Sequence, residues 1–208
     1  MTIDRAESCK TLADDTQQRN LEMLREGEAS ATSRRKFEPR EEETMLDLIK
    51  KRRSIRQYTD EPVSDADIKV LLEAAMAAPS SADRRPWEFI VVREKSLRQR
   101  LAQTHVWSHM CADAPVVFVV CGDERCSKAW VEDTSAATEN LLLAATALGL
   151  GAVWVGVHRD PQNEEYVRKV LGIPQGLHVL CLVPVGHPAE SKPPHTKYDE
   201  SKVHYDGY

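Results

Sequence analysis

No stretch of this chain approaches the roughly 20 consecutive apolar residues that a membrane-spanning helix needs. The opening residues, MTIDRAESCKTLADD, carry early acids and no apolar core, so they do not read as a signal peptide. Positive charge is in deficit as well. A formal net charge of −5 over 208 residues argues against general electrostatic binding to nucleic acid or to an anionic membrane. The five cysteines, Cys9, Cys111, Cys121, Cys126 and Cys181, form no even framework. No Cys-x-x-Cys and no nearby histidine pair completes a ligand set, so no metal centre is expected and a reducing cytoplasm is the simplest compartment. Nor does the chain carry a G-x-G-x-x-G turn after a strand, a phosphate-cradling P-loop or a G-x-S-x-G elbow. Dinucleotide-fold, P-loop and serine-hydrolase chemistry thus lose their usual signatures.

What is present reads as one globular body with an appendage. Hydrophobic residues make up 41% and charged residues 29%, ordinary values for a folded domain. Residues 1–44 are highly charged, with few large apolar side chains and no sustained period, so they read as a charged N-terminal extension with a short helix around Arg19 to Arg25. The globular pattern occupies residues 45–208. MLDLIKK predicts a short amphipathic helix. Ser64 caps a second, whose Ile68, Leu71, Leu72, Ala75 and Met76 share one face and which must end before Pro79. PWEFIVVRE, APVVFVVCGD, GAVWVGV and HVLCLVPVG predict four strands, the second apolar on both faces and so central in its sheet. A helix over Trp130 to Leu148 and another over EEYVRKVLGI, closed by Gly172, complete the set. Helices and strands intermix without a regular βαβ repeat, which favours an α+β sandwich.

Three clusters carry possible chemistry. In KKRRSIR, Arg52, Arg53 and Arg56 offer fork-shaped, permanently charged donors and Ser54 a hydroxyl, a set suited to holding a phosphate in one orientation. The same run also suits a helix C-terminus or a solvated surface. In APSSADRRPWEF, Pro79, Ser80, Ser81, Asp83 and Arg85 lie in a helix-to-strand loop that either faces a flat polar ligand or merely connects two elements. In LGLGAVWVGVH, Gly156 interrupts a strand beside Val155, the kind of position where a ligand or another backbone comes close. The histidines are scattered without ligand spacing, and the adjacent carboxylate pairs read as surface charge.

In this order the three clusters resemble the nitroreductase family of flavoproteins over about Met45 to Tyr208. RRSIRQYTDEPVSDADIKVLLEAAMAAPS is similar to that family's opening pattern, and PSSADRRPWEFIVV to its Pro-Ser-x-x-Asn-x-Gln-Pro-Trp loop and strand. NLLLAATALGLGAVWVG and VPVGHPAESKPPHTKYDESKVHYD are similar to its central helix and closing segment. The resemblance implies an α+β sandwich with a central, mainly antiparallel sheet flanked by helices, in an intertwined homodimer. It implies bound FMN, with NAD(P)H as cosubstrate and a small-molecule electron acceptor. Arg52, Arg53, Ser54, Arg56 and Lys197 would hold the phosphate and the polar edge of the ring. Pro79, Ser80 and Ser81 would line the ring from the other subunit, and Val155 with Gly156 would lie beside it. Asp83 stands where the family has asparagine and Arg85 where it often has glutamine; an ionised Asp only accepts hydrogen bonds, so it is expected either to pair with Arg84 or Arg85 or to meet a ring N–H.

The implied activity is ping-pong hydride transfer from NAD(P)H, through flavin N5, to a nitroaromatic, quinone, enone or similar oxidant, with no side chain named as catalytic acid or nucleophile. Two other readings are open: a reductive dehalogenase of the iodotyrosine deiodinase type, and a non-catalytic flavin-binding sensor.

Overall fold

A computed structural model describes residues 44–208. The N-terminal extension and its expected helix lie outside them, save for Thr44. The body is built on five antiparallel strands: β1 (Trp87–Val92), β2 (Val116–Asp123), β3 (Gly151–Ala152), β4 (Val155–Gly156) and β5 (Leu177–Gly186). β1 pairs with β2, β2 with β5, and β3 and β4 both pair with β5. All of β2 and the last eight residues of β5 are buried. That burial is why both read as continuous apolar runs rather than as alternating ones.

Helices cover both faces. Val116, Phe118 and Val120 of β2 pack under α2 (Asp65–Met76) and α4 (Trp130–Ala147), meeting Leu71, Ala137, Leu141 and Ala145. Val117, Val119 and Cys121 point the other way, towards Leu101 of α3 (Lys95–Leu101) and Val167 and Val170 of α5 (Pro161–Leu171). The period-two alternation of a strand thus feeds two cores from one segment. The expected α+β sandwich is present. α3 is an element that the sequence reading did not anticipate; Glu94 caps it, accepting from Leu97 N–H at 2.7 Å.

The local stop and start signals work as their chemistry requires. Ser64 Oγ accepts from Asp67 N–H at 3.0 Å to start α2. Gly172 ends α5 in the left-handed region, at φ 67°. GAVWVGV, expected as one strand, is two, with Val153 and Trp154 between them. Continuing the register from Ala152–Val185 to Val155–Leu182 sets Val153 opposite Pro184. A proline nitrogen has no hydrogen to donate, and the ladder lapses there.

Two features bear on the site. β5 carries an extra residue, Leu180, between the partners of Val120 and Cys121, a bulge whose carbonyl accepts both Val157 N–H at 3.0 Å and His158 N–H at 3.1 Å. The start of the body is also sewn to its end. Ile55 N–H bonds Ala152, Thr59 N–H bonds His187, Ala189 N–H bonds Gln57, and His195 N–H bonds Lys50. These ties lead the chain after α1 (Met45–Lys51) along the edge beyond β3 and lay the C-terminal segment across it.

Candidate functional site

The basic run begins where α1 ends. Thr44 and Asp47 form a reciprocal capping box at its start, and Arg52 is its C-cap. α1 is so short that its end falls against the middle of α4, where Arg52 Nε lies 3.4 Å from Glu139 Oε1. Burial raises the Glu139 carboxyl pKa, and Arg52 partly offsets that rise. Arg53 donates to the Pro193 carbonyl. Lys192 Nζ donates to the Ser54 carbonyl at 2.5 Å, and Arg56 N–H donates to Glu190 Oε1 at 2.6 Å. Glu190 and Lys192 also pair with each other at 3.0 Å. Lys197 is exposed. The His195 pKa is lowered by desolvation and then by the charges of Arg53, Lys197 and Arg52. Cations from the two ends of the body therefore act on one histidine.

The glycine cluster lies along the same helix. Val131 and Ser135 of α4 line a cavity of about 380 Å³ with Trp154, Gly156, Val157, His158, Arg159 and Leu180. That size falls within the usual range for small-molecule sites. Val131, Ser135 and Glu139 are four residues apart, so they form one stripe on α4. The stripe runs roughly 12 Å, from the cavity at one end to the Glu139–Arg52 pair at the other. Val155 is buried while Gly156 is exposed, and a Cβ added at Gly156 would meet no atom within 4 Å. The protein's own packing does not require a glycine there. On its carbonyl side, His105 Nε2 reaches Gly156 O at 3.0 Å, and Trp107 N–H bonds His105 Nδ1 at 3.1 Å. With Nδ1 accepting, Nε2 carries the proton and donates to Gly156.

The Pro79–Arg85 loop sits apart from these. Its anchor is Asp133, a buried carboxylate in the first turn of α4 that accepts from Ser81 N–H at 2.8 Å and from Ser127 Oγ at 2.7 Å. Asp133 projects from a different side of α4 than the Val131–Ser135–Glu139 stripe. Ala82, Asp83 and Arg85 all take left-handed conformations, at φ 49°, 54° and 48°. Each costs a non-glycine residue on the order of 1 kcal/mol, and such strain gathers at binding sites. Asp83 grips Arg85 bidentately, with Nε to Oδ1 at 2.7 Å and the terminal nitrogen to Oδ2. That bond, and then the Asp83 charge, raise the Arg85 pKa. Arg85 N–H is held by Ser80 Oγ at 3.0 Å. Pro79, Ser81 and Arg85 are exposed, and Ser80 and Asp83 half-buried.

The structure thus ties Arg52, Arg53, Ser54 and Arg56 to α4 and the C-terminal segment, where Lys197 also lies, sets Val155 and Gly156 at the cavity end of the same α4 stripe, and anchors the loop of Pro79, Ser80, Ser81, Asp83 and Arg85 on a different side of α4. Sequence reasoning missed Asp133, Glu139, Glu190, Lys192 and His105. Asp133 belongs to the Glu132–Asp133 pair that reads as surface charge, and its burial corrects that reading; the others act across long separations. No thiol competes as a nucleophile among the free cysteines of the described residues. Burial pushes Cys111 and Cys121 up to about 12 and raises Cys181 as well.

The model of the Nitroreductase family matches residues 49–110 and 102–187. A protein of Methanothermobacter thermautotrophicus assigned as an NADH dehydrogenase/NAD(P)H nitroreductase is 41% identical over 163 residues, 77% of this chain and 85% of its own. A crystal structure from Parabacteroides distasonis with the same assignment shares 43% identity at a TM-score of 0.77, covering 79% of this chain and 98% of that one. The structure of an FMN-dependent nitroreductase from Clostridium difficile shares 33% identity at a TM-score of 0.75, covering 78% of this chain and 99% of that one. With a family model spanning most of the described body and relatives matched over most of their own length, this chain belongs to the nitroreductase family.

Proposed function

We propose that this protein is an FMN-dependent, NAD(P)H-oxidising reductase of small electron acceptors, with the flavin held between two copies of the chain. Relatives that cover most of this chain are named as NAD(P)H nitroreductases and as an FMN-dependent nitroreductase, which supports NAD(P)H-dependent flavin oxidoreductase activity here and favours it over the dehalogenase and sensor readings.

One observation carries the site assignment. The patch of Arg52, Arg53 and Lys197 that depresses His195, and the open space before Gly156, lie at two ends of one α4 stripe. A flavin mononucleotide has a dianionic end and a flat apolar end, and that pairing fits it. Arg52, Arg53 and Lys197 hold the phosphate, with Arg56 and Ser54 beside it. Charge-assisted bonds of this kind are worth about 1.5–3 kcal/mol each. Glu139 competes with the phosphate for Arg52. Gly156 gives the ring backbone contact without a Cβ in the way. His105 fixes the Gly156 carbonyl, and Trp154 walls the cavity.

The chemistry that FMN supplies when bound is two-electron exchange at N5, taking hydride from NAD(P)H and giving it to a nitroaromatic, quinone or enone in alternate half-reactions. The residues of this chain orient the ring and set its electrostatics; the guanidinium groups favour negative charge on the nearby ring edge.

The second copy is needed because one chain leaves the site half built. The Pro79–Arg85 loop is on another side of α4, strained and exposed, and Asp83 is already satisfied by Arg85. A loop of this kind from a partner copy closes the cavity. Met45, Leu46 and Ile49 of α1 are 64%, 66% and 49% exposed, and Tyr198, Tyr205 and Tyr208 of the tail are exposed as well. No helix among the described residues is long and apolar enough to cross a membrane, so a bilayer-spanning role does not explain these faces. A dimer does.

Purification tests the whole reading. The protein should emerge yellow, bleach anaerobically with NADH or NADPH, and recover on adding menadione. A colourless protein that refuses FMN overturns the proposal. Flavin that binds but is reduced by neither nicotinamide overturns the enzymatic part and favours a sensor.

A further inference from the structure

We propose that His158, Glu164 and His178 form a binding site for a borderline divalent transition ion, with Zn²⁺ the reference case. The site does not rest on the flavin reading. His158 follows β4, Glu164 lies in the first turn of α5, and His178 is the second residue of β5. The Leu180 bulge brings them together: its carbonyl holds His158 N–H at 3.1 Å, and the neighbouring Val179 N–H reaches Glu164 Oε1 at 3.3 Å.

The ligand atoms of the three side chains all lie within 4.8 Å of one another. His158 Nδ1 is 3.5 Å from Glu164 Oε2, and His178 Nδ1 is 3.0 Å from Glu164 Oε1. Two ligands bound at about 2.0–2.1 Å in a tetrahedron are separated by roughly 3.3 Å. The His158 edge, to Oε2, is therefore near the spacing that an ion requires, and the His178 contact, to the other oxygen, holds that imidazole beside the same carboxylate. Two nitrogens and a carboxylate oxygen suit zinc and its neighbours, and leave a fourth position for water.

A proton serves this cluster less well than an ion would. His158 Nδ1 is buried and has no hydrogen-bond partner. At 3.5 Å from the carboxylate it is too far to donate effectively, and a buried unsatisfied nitrogen is costly. The surroundings also match those of a metal ligand set. His178 Nε2 lies 3.4 Å from Glu124 Oε1, placing a carboxylate behind a ligating imidazole. Trp130 packs edge-on to His158 at 4.6 Å and stacks on His178 at 5.0 Å, fixing both rings. Arg168 lies 3.2 Å from Glu164 Oε1 and opposes a cation electrostatically; Glu164 Oε2, facing His158, is the oxygen that remains for the ion. Such an ion ties β4, α5 and β5 together beside the cavity.

The test uses the full chain, stripped with a chelator and titrated with Zn²⁺ or Co²⁺ near neutral pH. One equivalent binds, Co²⁺ gives the visible band of a tetrahedral nitrogen–oxygen site, and Zn²⁺ raises the unfolding temperature. His158→Asn and His178→Asn each lower affinity by about 100-fold, and Glu124→Gln by about tenfold. His204→Asn, in the tail, changes nothing. Because Glu164 also anchors Arg168 and Val179, the decisive variant is His158→Asn, checked for wild-type circular dichroism. Failure to bind one equivalent, or a His158→Asn protein that binds as tightly as wild type, overturns the site whether or not flavin is present.

Discussion

The β2–β5 core and the sewn edge of the subunit are built by opposite means. In the core, residues close in sequence repeat one chemistry: Val116 to Cys121 are all essentially inaccessible, and each strand feeds two faces. At the edge, the ties join residues far apart in sequence: the side-chain bonds from Arg53 to Pro193, Lys192 to Ser54 and Arg56 to Glu190 each span more than 130 positions. The core completes itself within one chain. The edge leaves cations and aromatic side chains facing outwards, and the strained Pro79–Arg85 loop is exposed elsewhere. Stability is therefore invested in the sheet, and binding in surfaces that the single chain does not finish.

The sharpest way to break this contrast is to damage the core and watch the site. Phe118→Ala removes the largest fully buried side chain and should cost about 3–5 kcal/mol in denaturant unfolding, taking flavin binding with it. Next in size, Ile49→Asp should leave folding intact, because Ile49 is exposed in the single chain. Burying that carboxylate in an apolar contact costs several kcal/mol, at least about 3. Light scattering should show monomers and the flavin should be lost; an unchanged dimer would remove α1 from the interface.

Arg52→Ala sharpens the comparison, since it touches the site and not the core. FMN retention should weaken by about 1.5–3 kcal/mol, with unfolding nearly unchanged. Glu139→Gln should do the reverse, tightening FMN by freeing Arg52, as read by flavin fluorescence titration. Equal FMN affinity in the two variants would mean that Arg52 does not meet the phosphate.

The smallest effect is electrostatic. The Glu190 carboxyl pKa is lowered from its usual 4.5, chiefly by the Arg56 N–H and, against some desolvation, by Lys192. A depressed pKa means that the folded protein favours the carboxylate. The stabilisation is therefore complete above pH 4.5 and fades as pH falls through the lowered value. Wild type should exceed Glu190→Gln by at most about 1 kcal/mol near neutrality, and the gap should close in acid. A gap that widens in acid would reverse the assignment.

The fold was largely legible because its signals are local. Ser64, Pro79 and Gly172 act on the backbone within a turn, and the apolar runs of β2 and β5 announce burial without reference to partners. α3 escaped notice because KSLRQRL buries only Leu101, so its pattern is faint. The break between β3 and β4 was hidden because its cause, Pro184, lies on the opposite strand. The site was legible as three clusters in order, through resemblance. Its supporting cast was not: Glu139, Glu190, Lys192 and His105 mean nothing until the chain ends meet. His158 and His178 read as scattered for the same reason, although a strand bulge and one helix turn bring both to Glu164.

By itself the sequence determined most of the helices and strands, which runs are core, and where the cations and the Pro79–Arg85 loop occur, because those follow from backbone and side-chain chemistry over a few residues. Tertiary structure alone decided which distant groups share a space. Arg52 meets Glu139, Arg53 and Lys197 converge on His195, and the Pro79–Arg85 loop is turned away from them. Such distances depend on how the sheet is ordered and where β5 bulges, and no local spacing encodes either.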